Sequence, residues 1–205
     1  FVAAARLAFF SRLSGHDTIS FSSREDERRA LSCEDLCWGS ETVDGQTFNV
    51  TGHVFSEARG TGLFSADADD TIVFAHQSYA EFLAAWYLDF RRTPTPQILN
   101  ILLHPDDNVV VPRLREMTAW LASMRPDLFP EILDRDPLLL VEADTLAPDQ
   151  RERLARHLLE NVRWQGIPWE RARNLRSSLK NLECPNLAGI LRPFLTGEHP
   201  CSDEQ

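Results

Sequence analysis

Hydrophobic positions recur along the chain in two periods, and the changes of period mark its elements. The opening FVAAARLAFFSRLSG places Leu7, Phe10 and Leu13 on one helical stripe that stops at Gly15. TISFS, residues 18–22, has the length and β-branched content of a short strand. SCEDLCWG predicts a short helix capped by Ser32 and Asp35 and ended by Gly39, and ETVDGQ reads as a turn-rich loop. TFNVTGHVFSEARG puts Phe48, Val54, Phe55 and Ala58 on a helical face ending at Gly60. LFSADADDTIVFAH then reads as a hairpin, with the acidic ADADD segment at its tip.

Within that hairpin TIVFAH alternates, setting Ile72, Phe74 and His76 on one face. From Tyr79 the period becomes helical, with Tyr79, Phe82, Leu83, Trp86, Tyr87 and Phe90 on one stripe. Ser78 and Glu81 stand three apart, the spacing of a capping box. Arg91 and Arg92 suit the negative pole of that helix, and Thr93-Pro94-Thr95-Pro96 stops it. The order helix, strand, helix, helix, strand, strand is that of a winged helix, with the hairpin as its wing.

Everything beyond residue 78 reads as helical, with candidates near 96–103, 109–124, 126–134, 148–162, 168–182 and 186–195. Prolines fall at or near most of their starts. Leu121, Met124, Pro126 and Leu128 are echoed by Leu179, Leu182, Pro185 and Leu187, allowing one residue of gap, as stacked helix pairs require. The expected architecture is therefore mainly α. A winged-helix domain spans 1–77 and a HEAT- or armadillo-like array spans 78–205, with helix 78–92 linking the two.

Composition narrows the partners. Net charge is −10, which repels polyanions and disfavours direct nucleic-acid or anionic-membrane binding. The repeated arginines at 151–156 and 171–176 are interleaved with acids such as Glu152 and Glu170, as on a solvated helix face. No apolar run approaches the ~20 residues of a membrane helix, and the opening lacks the basic leader and cleavage site of a signal peptide. A chain that starts inside a helical pattern without Met is expected to be a segment of a longer protein. Cys33 and Cys37 lie one helical turn apart, but Cys184 and Cys201 form no second close pair. Buried or idle thiols in a reducing cytoplasm are expected rather than a zinc site, and the sequon at Asn49 carries little weight for the same reason.

Several kinds of chemistry have no motif here. G-x-x-x-x-G-K-[ST], G-x-S-x-G and H-E-x-x-H are all missing, so this chain is not expected to be an enzyme. Counted from Asp67 as a calcium loop, position six is Ile72 where glycine is required. His104 with Asp106 and Asp107 reads as a turn, and Trp164 and Trp169 as core aromatics. His76 is different. It sits at a strand end just before a helix, near the positive pole and the unpaired N–H groups that suit a phosphate. Its structural alternative is a core histidine bonded to a carbonyl.

FAHQSYAEFLAAWYL resembles the F-x-H-x-[ST]-[FY]-x-E-[FY]-[LF]-A-A motif that closes the winged-helix domain of NACHT-type STAND NTPases, the family of NOD-like receptors and many bacterial defence proteins. Phe74, His76, Ser78, Tyr79, Glu81, Phe82, Leu83, Ala84 and Ala85 match it position for position. EARGTGLFSADADDTIVF resembles the approach to that motif, and the helical stretch from Val109 to Asp144 is similar to the helical region beyond it in bacterial members. Strong similarity covers roughly residues 55–145. The resemblance implies that the winged helix folds over a P-loop ATPase domain of the same protein, holding ADP or ATP with Mg. It implies that His76 contacts the β-phosphate of ADP and keeps the closed state, and that exchange for ATP frees the parent to self-associate, in antiphage defence among bacterial relatives. The P-loop portion lies N-terminal to such a segment, so no cofactor is expected on this chain alone. Two other readings compete: a winged-helix transcription regulator, whose recognition helix would offer only Arg59 and His53 against Glu57, and a helical-repeat scaffold without a nucleotide link.

Overall fold

The structure is a computed structural model that describes residues 1–22, 30–67, 70–143, 145–161 and 179–196. It is mainly α and divides into two compact units, Phe1–Met124 and Arg125–Gln205.

Helix α1 (Val2–Ser14) is the spine of the first unit. Every residue from Val2 to Phe9 is buried, Arg6 included, so the helix is enclosed well beyond the expected stripe, and Phe10 and Leu13 are only half-buried. Its alanines at 3, 4, 5 and 8 let neighbours approach closely. The expected stop is found: Gly15 adopts φ 77° and donates its N–H to the Ser11 carbonyl at 3.0 Å. Arg113 Nη2 satisfies the Leu13 carbonyl at 2.8 Å, another of the acceptors a helix end leaves open.

A four-stranded sheet has the order β2-β1-β6-β5. Strand β1 (Thr18–Ser20) lies antiparallel to β6 (Thr71–Phe74), placing Ile19 opposite Ile72 with both side chains in the core. Strand β5 (Phe64–Ala66) pairs antiparallel with β6, so the expected hairpin is present; residues 68 and 69 of its acidic tip lie outside the described residues. Strand β2 (Leu31–Ser32) joins β1 in parallel. The charged REDERR stretch before it lies outside the described residues.

The middle of the unit departs from expectation. The helix predicted around Cys33 is only a 3-10 turn, Glu34–Leu36, with Ser32 Oγ accepting from the Glu34 N–H at 3.2 Å. The expected loop ETVDGQ and the start of the next predicted helix form a second hairpin, β3 (Ser40–Val43) and β4 (Gln46–Asn49). Asp44 and Gly45 both have positive φ, 50° and 79°, the two-residue turn whose twist matches a hairpin. Phe48 therefore lies on a strand, and helix α2 is confined to Gly52–Arg59, with Phe55 and Ala58 buried.

Helix α3 (Gln77–Phe90) packs against α1 and α5 (Arg115–Met124), with α4 (Thr95–Leu102) between them in sequence. Its buried face is Ala80, Glu81, Leu83, Ala84, Ala85, Tyr87 and Leu88. The predicted aromatic stripe is instead a flank: Phe82, Trp86 and Phe90 are half-buried and Tyr79 is exposed. Alanine explains the difference, because it admits a neighbouring helix more closely than an aromatic ring does. Since α3 packs on α1, the compact unit runs on to Met124 and does not divide after residue 77.

The second unit is helical in its described residues: α6 (Phe129–Arg135), α7 (Pro137–Glu142), α8 (Pro148–Asn161), the 3-10 turn Leu179–Leu182 and α9 (Leu187–Thr196). Helix α6 stands where a helix was predicted at 126–134, and the unpredicted α7 follows it after Asp136, whose carboxylate accepts the Leu139 N–H as an N-cap before Pro137. Leu128, Phe129, Ile132, Leu140 and Leu154 are fully enclosed. Most of the predicted helix 168–182, Trp164, Trp169, Cys201 and the arginines at 171–176 lie outside the described residues. Among the described residues, no helix is long and apolar enough to cross a membrane.

Candidate functional site

His76 is the N-cap residue of α3, with extended backbone (φ −138°, ψ 138°), and its side chain is exposed. Helix α3 therefore starts at Gln77, which moves Ser78 to its second position and Glu81 to its fifth. The predicted capping box is not formed. Glu81 is instead buried and accepts from Gln77 Nε2 at 2.6 Å, while Ser78 is exposed. The imidazole of His76 stands edge-on to the Tyr79 ring at 5.0 Å. Of the other motif residues, Phe74 packs on Phe64 at 4.6 Å across the hairpin and Phe82 meets Trp120 edge-on at 5.2 Å. The motif thus brings His76 and Tyr79 together on the surface and sends Phe74, Glu81 and Phe82 inward.

A cavity of about 180 Å³ lies beside the same helix end, lined by Arg12, Asp17, Val73, Phe74, Gln77 and Ala80. His76 does not line it. Arg12 is paired with Asp17 there. One imidazole supplies one hydrogen-bond donor to a phosphate, worth ~1.5–3 kcal/mol with a charged partner, so a nucleotide would need a phosphate cradle from another domain.

The opposite end of α3 holds a site the motif gives no sign of. Arg6 and Glu41, 2% and 1% exposed, form an ion pair at 2.9 Å. Tyr87 donates its hydroxyl to Glu41 Oε1 at 2.6 Å, and Arg91 donates to Glu41 Oε2 at 2.9 Å. Arg6 Nη2 also donates to the Trp38 carbonyl at 2.9 Å, and its guanidinium lies over the Trp38 ring at 4.2 Å. Burial opposes ionisation of Glu41, but hydrogen bonds from Tyr87, Arg6 and Arg91 outweigh it and hold the carboxyl below its usual range. Burial, reinforced by the bond to Glu41, pushes Tyr87 up to about 12. The residues that α1, β3 and α3 contribute are thus one electrostatic unit. Its only sequence signal is Arg6, a single charge inside the apolar run VAAARLAFF; Glu41 gives none at all.

The remaining candidates resolve simply. Cys33 is buried, its thiol pushed up to about 12 by burial first and by Cys37 second, and Cys37 Sγ donates to the Cys33 carbonyl at 3.2 Å. Cys184 is also buried. Among the described residues, no group of three or more His, Cys, Asp or Glu side chains is arranged to hold a metal ion. His104 sits in an exposed turn, its Nδ1 3.8 Å from carboxylate oxygens of Asp106 and Asp107. On α2, Arg59 is bonded to Asp70 at 2.9 Å and lies over the Phe21 ring, while His53 faces Glu57 at 3.6 Å. No family model, no curated protein and no solved structure matches this chain.

Proposed function

We propose that this chain is the regulatory winged-helix and helical-arm portion of a NACHT-type STAND NTPase switch, with His76 as the residue that reports the bound nucleotide. One observation carries the reading: the motif histidine stands exposed where β6 gives way to α3, at the positive pole of a 14-residue helix. The antiparallel pairing of β1, β6 and β5 and the position of α3 after the hairpin also fit a winged helix. The 3-10 turn in place of its second helix and the inserted β3–β4 hairpin do not belong to that pattern.

In this reading the partner is a P-loop domain of the same protein, holding ADP or ATP with Mg, and the fragment itself is not catalytic. ADP would keep His76 engaged, ATP would release it, and the freed protein would self-associate in the cytoplasm. Antiphage defence is the setting we assign to the switch. The second unit would serve as the arm, its short helices stacking in the manner of HEAT or armadillo repeats. A DNA-binding role is the weaker reading, since Arg59 already serves Asp70 and the net charge is −10.

The test is ADP retention in a protein that joins this segment to its P-loop domain. His76→Ala should speed ADP release and raise basal self-association. Equal retention in both proteins would remove His76 from the mechanism.

A further inference from the structure

We infer that the β3–β4 hairpin is a separable flap, latched by Glu41 and able to open while the rest of the first unit stays folded. This stands apart from the proposed nucleotide role. Among the described residues the hairpin pairs only with itself and takes no part in the four-stranded sheet. An isolated two-stranded hairpin is marginal in water, so its attachment decides whether it stays docked. Ser40, Thr42, Asp44 to Thr47 and Asn49 are exposed or nearly so, and Val43 and Phe48 are half-buried. Glu41 alone among its residues is fully buried.

The chain enters the hairpin through Gly39, at φ 70°, and leaves it at Val50, whose N–H donates to the Gly39 carbonyl at 3.0 Å. A glycine at positive φ on one side of a closed base is a ready pivot. The latch itself is under-satisfied. Arg6 Nε is buried with no hydrogen-bond partner among the described residues. A buried ion pair whose polar atoms are not all satisfied contributes little net stability, although losing one member strands the other. Arg91, which grips Glu41 from outside, is itself 48% exposed.

The ground beneath the flap gives the opening a consequence. A cleft of about 590 Å³ has Val43 and Phe48 of the hairpin on one wall, Val2 and Ala3 of α1 and Val54 of α2 on the others. Swinging the hairpin away would widen that cleft and bring Arg6 and Tyr87 to solvent. Access to the first turn of α1 is then governed by one carboxylate.

Residue-resolved amide hydrogen exchange on the whole chain, in increasing urea, tests this. Amides of 41–49 should exchange at least about tenfold faster than those of β6 and the middle of α3, with a smaller urea dependence. Glu41→Gln should speed 41–49 by about tenfold more and keep them at least about tenfold ahead of β6. Arg91→Ala, which loosens only the outer grip, should give a smaller rise in the same segment. The inference is overturned by hairpin amides that exchange together with β6 in either protein, by a Glu41→Gln chain that does not fold, or by no change in 41–49 in either variant.

Discussion

The two ends of α3 lie on one short helix and are opposite in construction. At its start, His76, Gln77, Ser78 and Tyr79 are exposed or nearly so, and the imidazole of His76 meets a single aromatic ring. Near its end, Tyr87 and Arg91 converge on a carboxylate that is 1% exposed, and Arg6 reaches it from another helix. One end is free to serve a partner, while the other is committed to holding its own fold together. A family motif draws notice to the first end; the physics of burial draws it to the second.

Substitutions along α3 should follow that gradient. The largest effect belongs to neither end. Leu83, 2% exposed in the middle of the helix, supports both, and Leu83→Ala should cost about 2–5 kcal/mol in urea unfolding. A loss much below that range would mean that the α3 core tolerates a cavity and that the two ends are not mechanically joined.

Tyr87→Phe comes next, at about 1.5–3 kcal/mol, because it removes a hydrogen bond to a buried charge. It also has a pH consequence of defined sign. Tyr87 is pushed up to about 12 in the folded chain. Its stabilisation is therefore complete below its unfolded value of about 10 and lost as pH rises from there through the folded value. Glu41 behaves conversely: held below its usual range, it stabilises above about pH 4.5, and that contribution disappears as pH falls through its folded value. Urea midpoints measured from acid to alkaline pH should fall at both extremes in the wild type, and the alkaline fall should be shallower in Tyr87→Phe, where the buried Cys33 thiol, also pushed up to about 12, still contributes to it. The same alkaline fall in the variant would place its origin elsewhere.

Arg91→Ala should cost only about 0.5–1 kcal/mol, since the guanidinium is 48% exposed and water replaces much of its contribution. His76→Ala should fall within about 0.5 kcal/mol of wild type by thermal unfolding, as expected of a surface residue that holds nothing in place. A large loss there would turn His76 into a structural residue and erase the contrast between the ends.

Local signals in the sequence locate the elements better than they locate the chemistry. Gly15 closes α1, and the β5–β6 hairpin and the start of α3 stand near where periodicity and the motif put them. The capping box fails because Ser78 and Glu81 satisfy the spacing but not the start: the extended backbone of His76 begins the helix earlier than a Ser78 cap allows. The second hairpin carries a signal that the helical period of the next segment masks, since Asp44-Gly45 between ETV and QTFN is the strongest short-range turn signal in that stretch. The Glu41 network is not legible, because residues 6, 41, 87 and 91 share no local pattern and meet only once the chain has folded. Arg6 inside an apolar run is its one visible clue.

Temperature acts differently on the two kinds of attachment within the first unit. The dehydration cost of Arg6 and Glu41 shrinks on warming, because ions are less strongly hydrated when hot, while the apolar stabilisation per unit area levels off. The fastening of the hairpin should therefore gain on the alanine-lined seam of α1 and α3 as the molecule warms, and slacken first in the cold.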